Sequence, residues 1–588
     1  MSKDINKPEQ LITEHIDVWT SSILAKSTSG RGSSKKYELY GISKLRELIL
    51  ELAVRGKLVP QDANDEHASV FLEKIAVERG NLIEKGEIKK TKVLSEIIEN
   101  ETFFELPHGW MWSKIGTYAY VFAGTSFKSE DFNKESGTKV IKITNVGVGN
   151  FLETQDYLPN KFSEEFESYL VKQEDLVLAL TRPYISSGLK VCACPHSYHN
   201  SLLNQRVAAI RHIIKSDYLY FYFRNPLVLS HYKTKFSGSG LQPNLKMADI
   251  LNLPIAVPPL AEQHRIVAKV DELMLLCDQL EQQTEASIDA HATLVEVLLA
   301  MLTDSVDADE LAQNWARIAE HFDSLFTTEQ SIEALKQTVL QLAVMGKLVP
   351  QNQNDEPASV LLEKIAEEKE QLIEQGKIKK SKHLPQINAK DKPSNLPFGW
   401  EWARLGDTGI SATGNTPKTS EPRFFNGDIP FIGPGQITNN NEILLPEKTI
   451  TEEGLEHSTE ALENDILMVC IGGSIGKAAI AKSRMGFNQQ INAIRPLIVN
   501  QTYLLYYVQT SEFYKRLIEE SSGSATPIIN RGKWDQLLVA LPPLSEQKRI
   551  VAKVGELMAI CDQLKEKLQQ SQETQVQLTD ALVDRALG

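Results

Sequence analysis

The chain has 588 residues, 42% hydrophobic and 24% charged, with a formal net charge of −14. That length is too great for one ordinary core, and the balance is that of a soluble globular protein with several domains. The charge argues against a simple nucleic-acid binder taken whole, the N-terminus MSKDINKPEQ lacks a signal-like apolar run, and no stretch approaches the uninterrupted apolar length of a membrane span.

In chain order, residues 1–105 read as a helical region. Its polar stretch Ala25–Tyr40 reads as a loop or linker, in which Arg31, Lys35 and Lys36 could touch phosphate. Leu45–Lys92 then returns as Leu335–Lys382, with 31 identities in 48 aligned positions and no gap. Both copies contain GKLVPQ, at Gly56–Gln61 and Gly346–Gln351. Residues 106–257 open on LPHGWMW and change character. Runs such as KVIKIT and DLVLAL read as short strands, and SDYLYFYFR as a helix.

Residues 258–395 begin with Pro258-Pro259, which suits a helix start. Ile266, Val270, Leu273, Cys277 and Leu280, then Leu294, Leu298 and Met301, follow alternating steps of four and three, a coiled-coil seam. A helix of about 44 residues would be about 66 Å long, at about 1.5 Å per residue. Residues 396–541 open on LPFGWEW and hold strand-like DILMVCI and NAIRPLIV and helical TYLLYYVQTSEFYKRL. Residues 542–588 repeat the seam with Ile550, Val554, Leu557, Cys561, Leu564, Leu568, Leu578 and Leu582. Their first 25 residues match Pro258–Gln282 at 18 positions. Cys277 and Cys561 read as small buried hydrophobes. The five cysteines, sparse and odd in number, suit a reducing cytoplasm better than a disulfide scaffold.

The chain is thus two halves of one plan, too long in period for a solenoid. The fold class expected is α+β: two globular α/β domains separated by long antiparallel coiled-coil helices, with an internal two-fold pseudo-repeat. EHIDVW (Glu14–Trp19) matches EHFDSL (Glu320–Leu325), so the N-terminus is expected to pack with the C-terminal helix and close the frame circularly. The inserts share NQRVAAIR (Asn204–Arg211) against NQQINAIR (Asn488–Arg495) and otherwise scarcely align. Like frames around unlike inserts suggest one architecture with two specificities. The first insert has 16 Lys+Arg against 12 Asp+Glu, and the second 12 against 16. The whole −14 therefore belongs to the helical remainder, better placed to meet protein than DNA.

Several motifs hint at chemistry. GGSIG (Gly472–Gly476) fits the G-x-S-x-G nucleophile elbow and would make Ser474 a hydrolase nucleophile. The corresponding RPYISSGLK lacks the pattern, and no persuasive His–Asp pair follows. Cys192, Cys194, His196 and His199 form C-x-C-x-H-x-x-H, off the usual zinc spacing, and read by default as strand and loop residues. No glycine-rich cofactor fingerprint opens a βα unit, so no cofactor or metal site is expected in this chain.

Polar and basic groups gather in the inserts' glycine-rich loops. In the first they are Lys142, Asn145, Arg182, Tyr184, Lys190, Asn204, Gln205, Arg206, Lys233, Lys235, Ser239 and Gln242. In the second they are Thr416, Lys418, Arg423, Gln436, Asn439, Ser474, Lys477, Asn488, Gln489, Gln490, Ser524, Thr526, Asn530 and Arg531. Arg, Lys, Asn and Gln can make bidentate contacts with base edges, so all 26 are candidate DNA contacts.

Two inserts framed by LP-x-GW-x-W and PPL-x-EQ-x-RIVAKV, with GKLVPQ and NDEPASVLLEKI in the helical blocks, closely resemble the specificity subunit of Type I restriction-modification systems. The resemblance covers nearly the whole chain. It implies a cytoplasmic, non-catalytic chain with two target-recognition domains, each reading one half of a split double-stranded DNA target. The helices would set the gap and dock two modification (methyltransferase) subunits that bind S-adenosylmethionine. Restriction subunits, using ATP and Mg, would complete the endonuclease. Two other readings are a coiled-coil scaffold whose inserts bind protein and, more remotely, the serine hydrolase.

Overall fold

The computed structural model describes residues 8–25, 37–91, 93–98, 101–236, 242–380, 383–523 and 526–588. Arg31, Lys35 and Lys36 lie outside them, as do Ser239 and Ser524. The chain divides into two compact units, Met1–Ser287 with Ser571–Gly588, and Ile288–Gln570.

Each unit holds one copy of the repeated hexapeptide, and the contacts explain why it recurs. Gly56 and Gly346 have φ of 65° and 69°, the left-handed turn that ends Tyr40–Val54 and Glu329–Val344. In unit 1 the next residue, Lys57, donates from Nζ to the Leu587 carbonyl (2.5 Å) at the end of helix Leu544–Leu587. Gln61 donates to Glu262 (2.6 Å) in the first turn of helix Leu260–Asp304. Unit 2 repeats the joint with the helices exchanged. Lys347 caps the Thr303 and Ser305 carbonyls (2.7 and 2.9 Å), and Gln351 donates to Glu546 (2.9 Å). A lysine at a helix C-terminus satisfies orphan carbonyls and complements the dipole. Within each unit GKLVPQ therefore ties the end of one long helix to the start of the other.

Other contacts follow the same duplication. Arg265 pairs with Asp65 and Arg549 with Asp355 (2.6 and 2.7 Å), while Arg46 and Lys336 reach Asp278 and Asp562 (2.5 and 2.7 Å). Tyr40 Oη donates to Asp580 (2.8 Å), so the N-terminal helical region holds the C-terminal helix. Burial pushes the Glu262 and Glu546 carboxyls above the usual range, opposed at Glu262 chiefly by the hydrogen bond it accepts from Trp110 Nε1 (2.9 Å).

The helix Leu260–Asp304 corrects two expectations. By length and apolar content alone it is long enough to cross a membrane, although it carries frame contacts in this fold. Its seam also drifts. Ile266, Val270, Leu273, Cys277 and Leu280 are buried, but beyond them the buried residues are Val295, Leu299 and Leu302, while Leu294 is 49% exposed. A straight helix has about 3.6 residues per turn, so roughly ten turns carry the face of Ile266 to Leu302, where a strict heptad reaches only Met301. In the second long helix Leu578 is 50% exposed and Thr579 buried, the same one-residue shift.

The two inserts share a sheet topology that their sequences conceal. In the first, an antiparallel sheet runs Val191–Ala193, Leu176–Ala179, Val207–His212, Ala119–Ala123. A second sheet runs Tyr157–Leu158, Thr138–Ile141, Ser201–Leu203, Leu170–Val171, parallel only at its centre. In the second insert the matching orders are Ala478–Ile480, Ile466–Val469, Ile491–Pro496, Gly409–Thr413 and Thr449–Ile450, Phe425–Ile432, Met485–Phe487, Thr459–Ala461. The central pair is again parallel. Successive side chains of a strand face opposite ways: Ile466 and Met468 enter the core with Tyr503 and Trp534, Leu467 and Val469 the core with Ile432 and Phe487. Both faces are buried, which is why DILMVCI reads as a continuous apolar run.

Each insert is closed by a two-stranded ribbon. Met111–Lys114 pairs with Pro254–Val257, and Glu401–Arg404 with Leu538–Leu541. The tryptophan motif lies on the entering strand and the PPL motif follows the leaving one. Chain ends held side by side make an insert that can be exchanged without disturbing its frame.

Candidate nucleic-acid interface

In both inserts the same backbone ties gather several loops at one edge. In the first, Asn204 N donates to Ile141 O (3.0 Å), Leu180 N to Arg206 O (2.9 Å), Thr125 N to Leu203 O (3.0 Å) and Arg182 N to Pro243 O (3.0 Å). In the second, Asn488 N donates to Ile432 O (3.0 Å), Cys470 N to Gln490 O (2.8 Å), Asn415 N to Phe487 O (3.0 Å) and Gly472 N to Pro527 O (2.9 Å). Glycine is required where two of these loops cross. A Cβ on Gly124 would collide with the Leu203 and Asn204 carbonyls, and one on Gly414 with those of Phe487 and Asn488.

The NQR and NQQ turns lie at the centre of this edge. Gln205, Arg206 and Gln489 are exposed, and Asn204, Asn488 and Gln490 half-buried. Thr416 Oγ1 donates to Gln489 Oε1 (2.7 Å), and Asn488 to Gln490 Oε1 (3.3 Å), so neutral amides and hydroxyls order the second turn. Arg182 takes positive φ (49°), and the Gln242 amide, with its oxygen turned inward, accepts from its guanidinium. Lys190 and Lys477 occupy matching half-buried places, each carbonyl accepting from the neighbouring strand (3.1 and 2.8 Å). Tyr184 is half-buried in the small hairpin beside Lys190.

Other sequence candidates are engaged within the protein. Asn145 is fully buried and bonded to Lys142 N, Leu152 O and Thr154 Oγ1 (2.7, 2.7 and 3.1 Å), which corrects its reading as a DNA contact. Lys142 pairs with Asp156 (3.0 Å) and lies 3.9 Å from the Phe132 ring centroid. Burial raises the Asp156 carboxyl, but hydrogen bonds from Lys134, Lys142 and Thr154 prevail and hold it at about 2. Lys235 pairs with Asp249 (2.5 Å), Arg423 with Glu453 (2.8 Å) and Arg531 weakly with Asp535 (3.9 Å). Gln436 accepts from Gly433 N (3.0 Å), and Asn530 caps a helical turn by accepting from Lys533 N (3.0 Å). Lys233, Gln242, Lys418, Asn439 and Thr526 are exposed.

Asn415, at the same edge, was not singled out in the sequence. Its side chain donates to His457 O (2.9 Å), and its place next to Gly414 follows from the crossing described above. Thr125, its counterpart, was missed for the same reason: neither lies in a charged or amide-rich run.

The hydrolase motif resolves into a turn. Gly472–Gly476 joins the antiparallel strands Ile466–Val469 and Ala478–Ile480, whereas a nucleophile elbow joins strand to helix. The cysteine–histidine run does not converge either. Cys192 and Cys194 are buried in the insert's core, and burial pushes both thiols up to about 12. His196 and His199 turn instead to Gln173, through its side chain (2.9 Å) and its backbone N–H (3.1 Å).

Two like-folded inserts with unlike surfaces, held on a duplicated helical frame, define a modular recognition chain. The family model of the Type I restriction modification DNA specificity domain matches residues 107–290 and 397–573. The Type I restriction enzyme EcoAI specificity subunit of Escherichia coli is 40% identical over 99% of this chain and 100% of its own length. The EcoEI specificity subunit, also of Escherichia coli, is 39% identical over the same shares. The crystal structure of the HsdS subunit from Thermoanaerobacter tengcongensis is 18% identical, covering 83% of this chain and 99% of that one, with a TM-score of 0.40. The chain belongs to the Type I restriction-modification specificity-subunit family. As such it is a non-catalytic chain that confers DNA sequence recognition.

Proposed function

We propose that this chain reads a bipartite double-stranded DNA target, residues 106–257 recognising one half and residues 396–541 the other. The observation that carries this reading is the identical strand order and loop convergence of two inserts whose exposed residues differ. The region 1–105, the central region 258–395 and the C-terminal helix 542–588 form the frame. Their helices set the spacer between half-sites. The duplicated frame offers one surface twice, which suits two copies of a modification subunit. Those subunits would bring S-adenosylmethionine, and restriction subunits ATP and Mg, in a cytoplasmic assembly.

The exposed members of the 26 candidates, with the NQR and NQQ turns at their centre, would face the DNA grooves and phosphates. Mapping methylated bases in methylation-free cells expressing this chain with its companion methyltransferase tests the reading. The expected result is a split motif, two short blocks around a fixed unspecified gap. Exchanging residues 396–541 for another such insert should change one block only. Methylation without sequence preference, or none despite a stable complex, would favour the protein-binding scaffold.

A further inference from the structure

We infer that positions 206 and 490 are the matched base-reading positions of the two recognition domains, Arg206 selecting guanine in one half-site and Gln490 selecting adenine in the other. This deepens the function proposed above and rests on it. The argument starts from the backbone. Each residue closes the same three-residue turn: Val207 N donates to Asn204 O (3.0 Å) and Ile491 N to Asn488 O (3.1 Å). Each offers its own carbonyl to the neighbouring strand, to Leu180 N (2.9 Å) and Cys470 N (2.8 Å). Each leads into the central strand of its antiparallel sheet, Val207–His212 or Ile491–Pro496. Two residues earlier, Asn204 and Asn488 are anchored to Ile141 and Ile432 (3.0 Å each).

The backbone therefore starts the two side chains from equivalent places. Their neighbours Asn204/Asn488 and Gln205/Gln489 are the same residue types in both turns, so they cannot distinguish the two half-sites. The next position is where the turns part, with arginine in one and glutamine in the other. Arginine is matched to guanine O6 and N7, and glutamine to adenine N6 and N7.

Surrounding cations are less suited to this task. Lys142 is bound to Asp156, and Arg182 to Gln242, whereas Arg206 is exposed and makes no side-chain hydrogen bond or ion pair among the described residues. At the places matching Lys142 and Arg182 the second domain has Gly433 and Gly472, so its turn works without either charge. Gln490 is held in orientation by Asn488, through Nδ2 to its Oε1 (3.3 Å) and through its own N–H to Asn488 Oδ1 (3.0 Å). An ordered amide presents its donor and acceptor as one pair, which is what adenine's edge requires.

The test is selection of bound duplexes from a randomised library by the full complex of this chain with its modification subunits. The variants are Arg206→Gln, Arg206→Lys and Gln490→Arg, each checked for assembly by size-exclusion chromatography. Arg206→Gln should move one position of one half-site from guanine towards adenine, with at least a tenfold loss of guanine preference, about the value of one bidentate contact. Arg206→Lys should lose that preference too, because it keeps the charge but not the planar fork. Gln490→Arg should shift one position of the other half-site from adenine towards guanine.

If Arg206→Gln merely weakens binding to all sequences and reduces its salt dependence, Arg206 holds a phosphate and the inference is overturned. It is equally overturned if all three assembled variants select the parental bases. Were the unaltered complex to select no bipartite target at all, the functional reading itself would fail, an outcome distinct from a retained target with unmoved bases.

Discussion

The first and second recognition domains are built from the same strands in the same order, yet they solve their surfaces in opposite ways. The first carries a net of +4 and leaves the arginine of its turn, Arg206, exposed, while the second carries −4 and gathers amides and hydroxyls in its turn. Their interiors differ as well. Trp534 is fully buried in the second domain's core and donates to Met468 Sδ (3.2 Å), where the first domain has the buried residues Ile250 and Leu178 at the matching positions. Backbone hydrogen bonds and the closing ribbon set the topology, and these depend little on side-chain identity. Side chains can then be exchanged in compensating groups, inside by volume and outside by recognition chemistry.

Six substitutions would sharpen or break this comparison. The largest effect is expected from Trp534→Ala, which empties a fully buried site and should cost about 4 kcal/mol. Ile250→Trp forces the second domain's bulk into the first and should cost less, about 1–3 kcal/mol by overpacking. Chemical denaturation of the full chain, followed by domain-resolved hydrogen exchange, would measure both. If Ile250→Trp proved neutral, the two cores would not be separately packed.

Next come two matched ion pairs. Arg211 pairs with buried Asp175 (2.7 Å) and also donates to Leu170 O (2.8 Å). Arg495 pairs with Asp465 (2.9 Å), equally buried, but its own side chain is 38% exposed. Removing either arginine strands a buried carboxylate. Arg211→Ala should cost about 3 kcal/mol and Arg495→Ala clearly less, since solvent can reach the vacated space. Equal losses would show that the exposure difference is immaterial.

A third contrast is set by pH. Asp156 in the first domain is held at about 2, while the matching position in the second is Lys448, each carbonyl accepting from a strand residue (Val140 N and Phe431 N, 3.1 and 3.0 Å). A carboxyl whose folded pKa is depressed stabilises the fold above its unfolded pKa and loses that contribution as pH falls towards the folded value. The first domain should therefore become more susceptible to pepsin between about pH 4 and 2, and Asp156→Asn should remove that part of the pH dependence. The second domain's cleavage should not respond to the substitution.

The smallest effect belongs to the surface. Glu453→Ala breaks an ion pair with Arg423, whose side chain is 61% exposed, and should change stability by less than about 0.5 kcal/mol. Any consequence for DNA selection would then come from releasing Arg423 from Glu453, leaving its weaker pairing with Glu421 (3.4 Å), which a binding assay can separate from stability.

Much of the fold was legible before any coordinates. The duplication, the long helices, the strand runs and the framing motifs all depend on periodicity and identity, which are properties of the sequence. The seam past Leu280 was misread because a heptad is an approximation to a helix, and the error accumulates with length. The candidate site was legible as a region but not residue by residue. Asn145 and Arg206 look alike as polar loop residues, yet one is consumed by the backbone around it and the other is left to solvent.

The sequence by itself determined that one helical plan is written twice, where its joints fall, and which family of DNA-specificity subunits it belongs with. Only the tertiary structure decided that two unalignable inserts are one fold, that GKLVPQ ties one long helix's end to the other's start, and which side chains remain unspent. The physical reason is that a residue's type records what it can bond to, whereas its partners are chosen by segments far away in the chain. Hydrogen bonds and burial become assignable only when those segments are brought together.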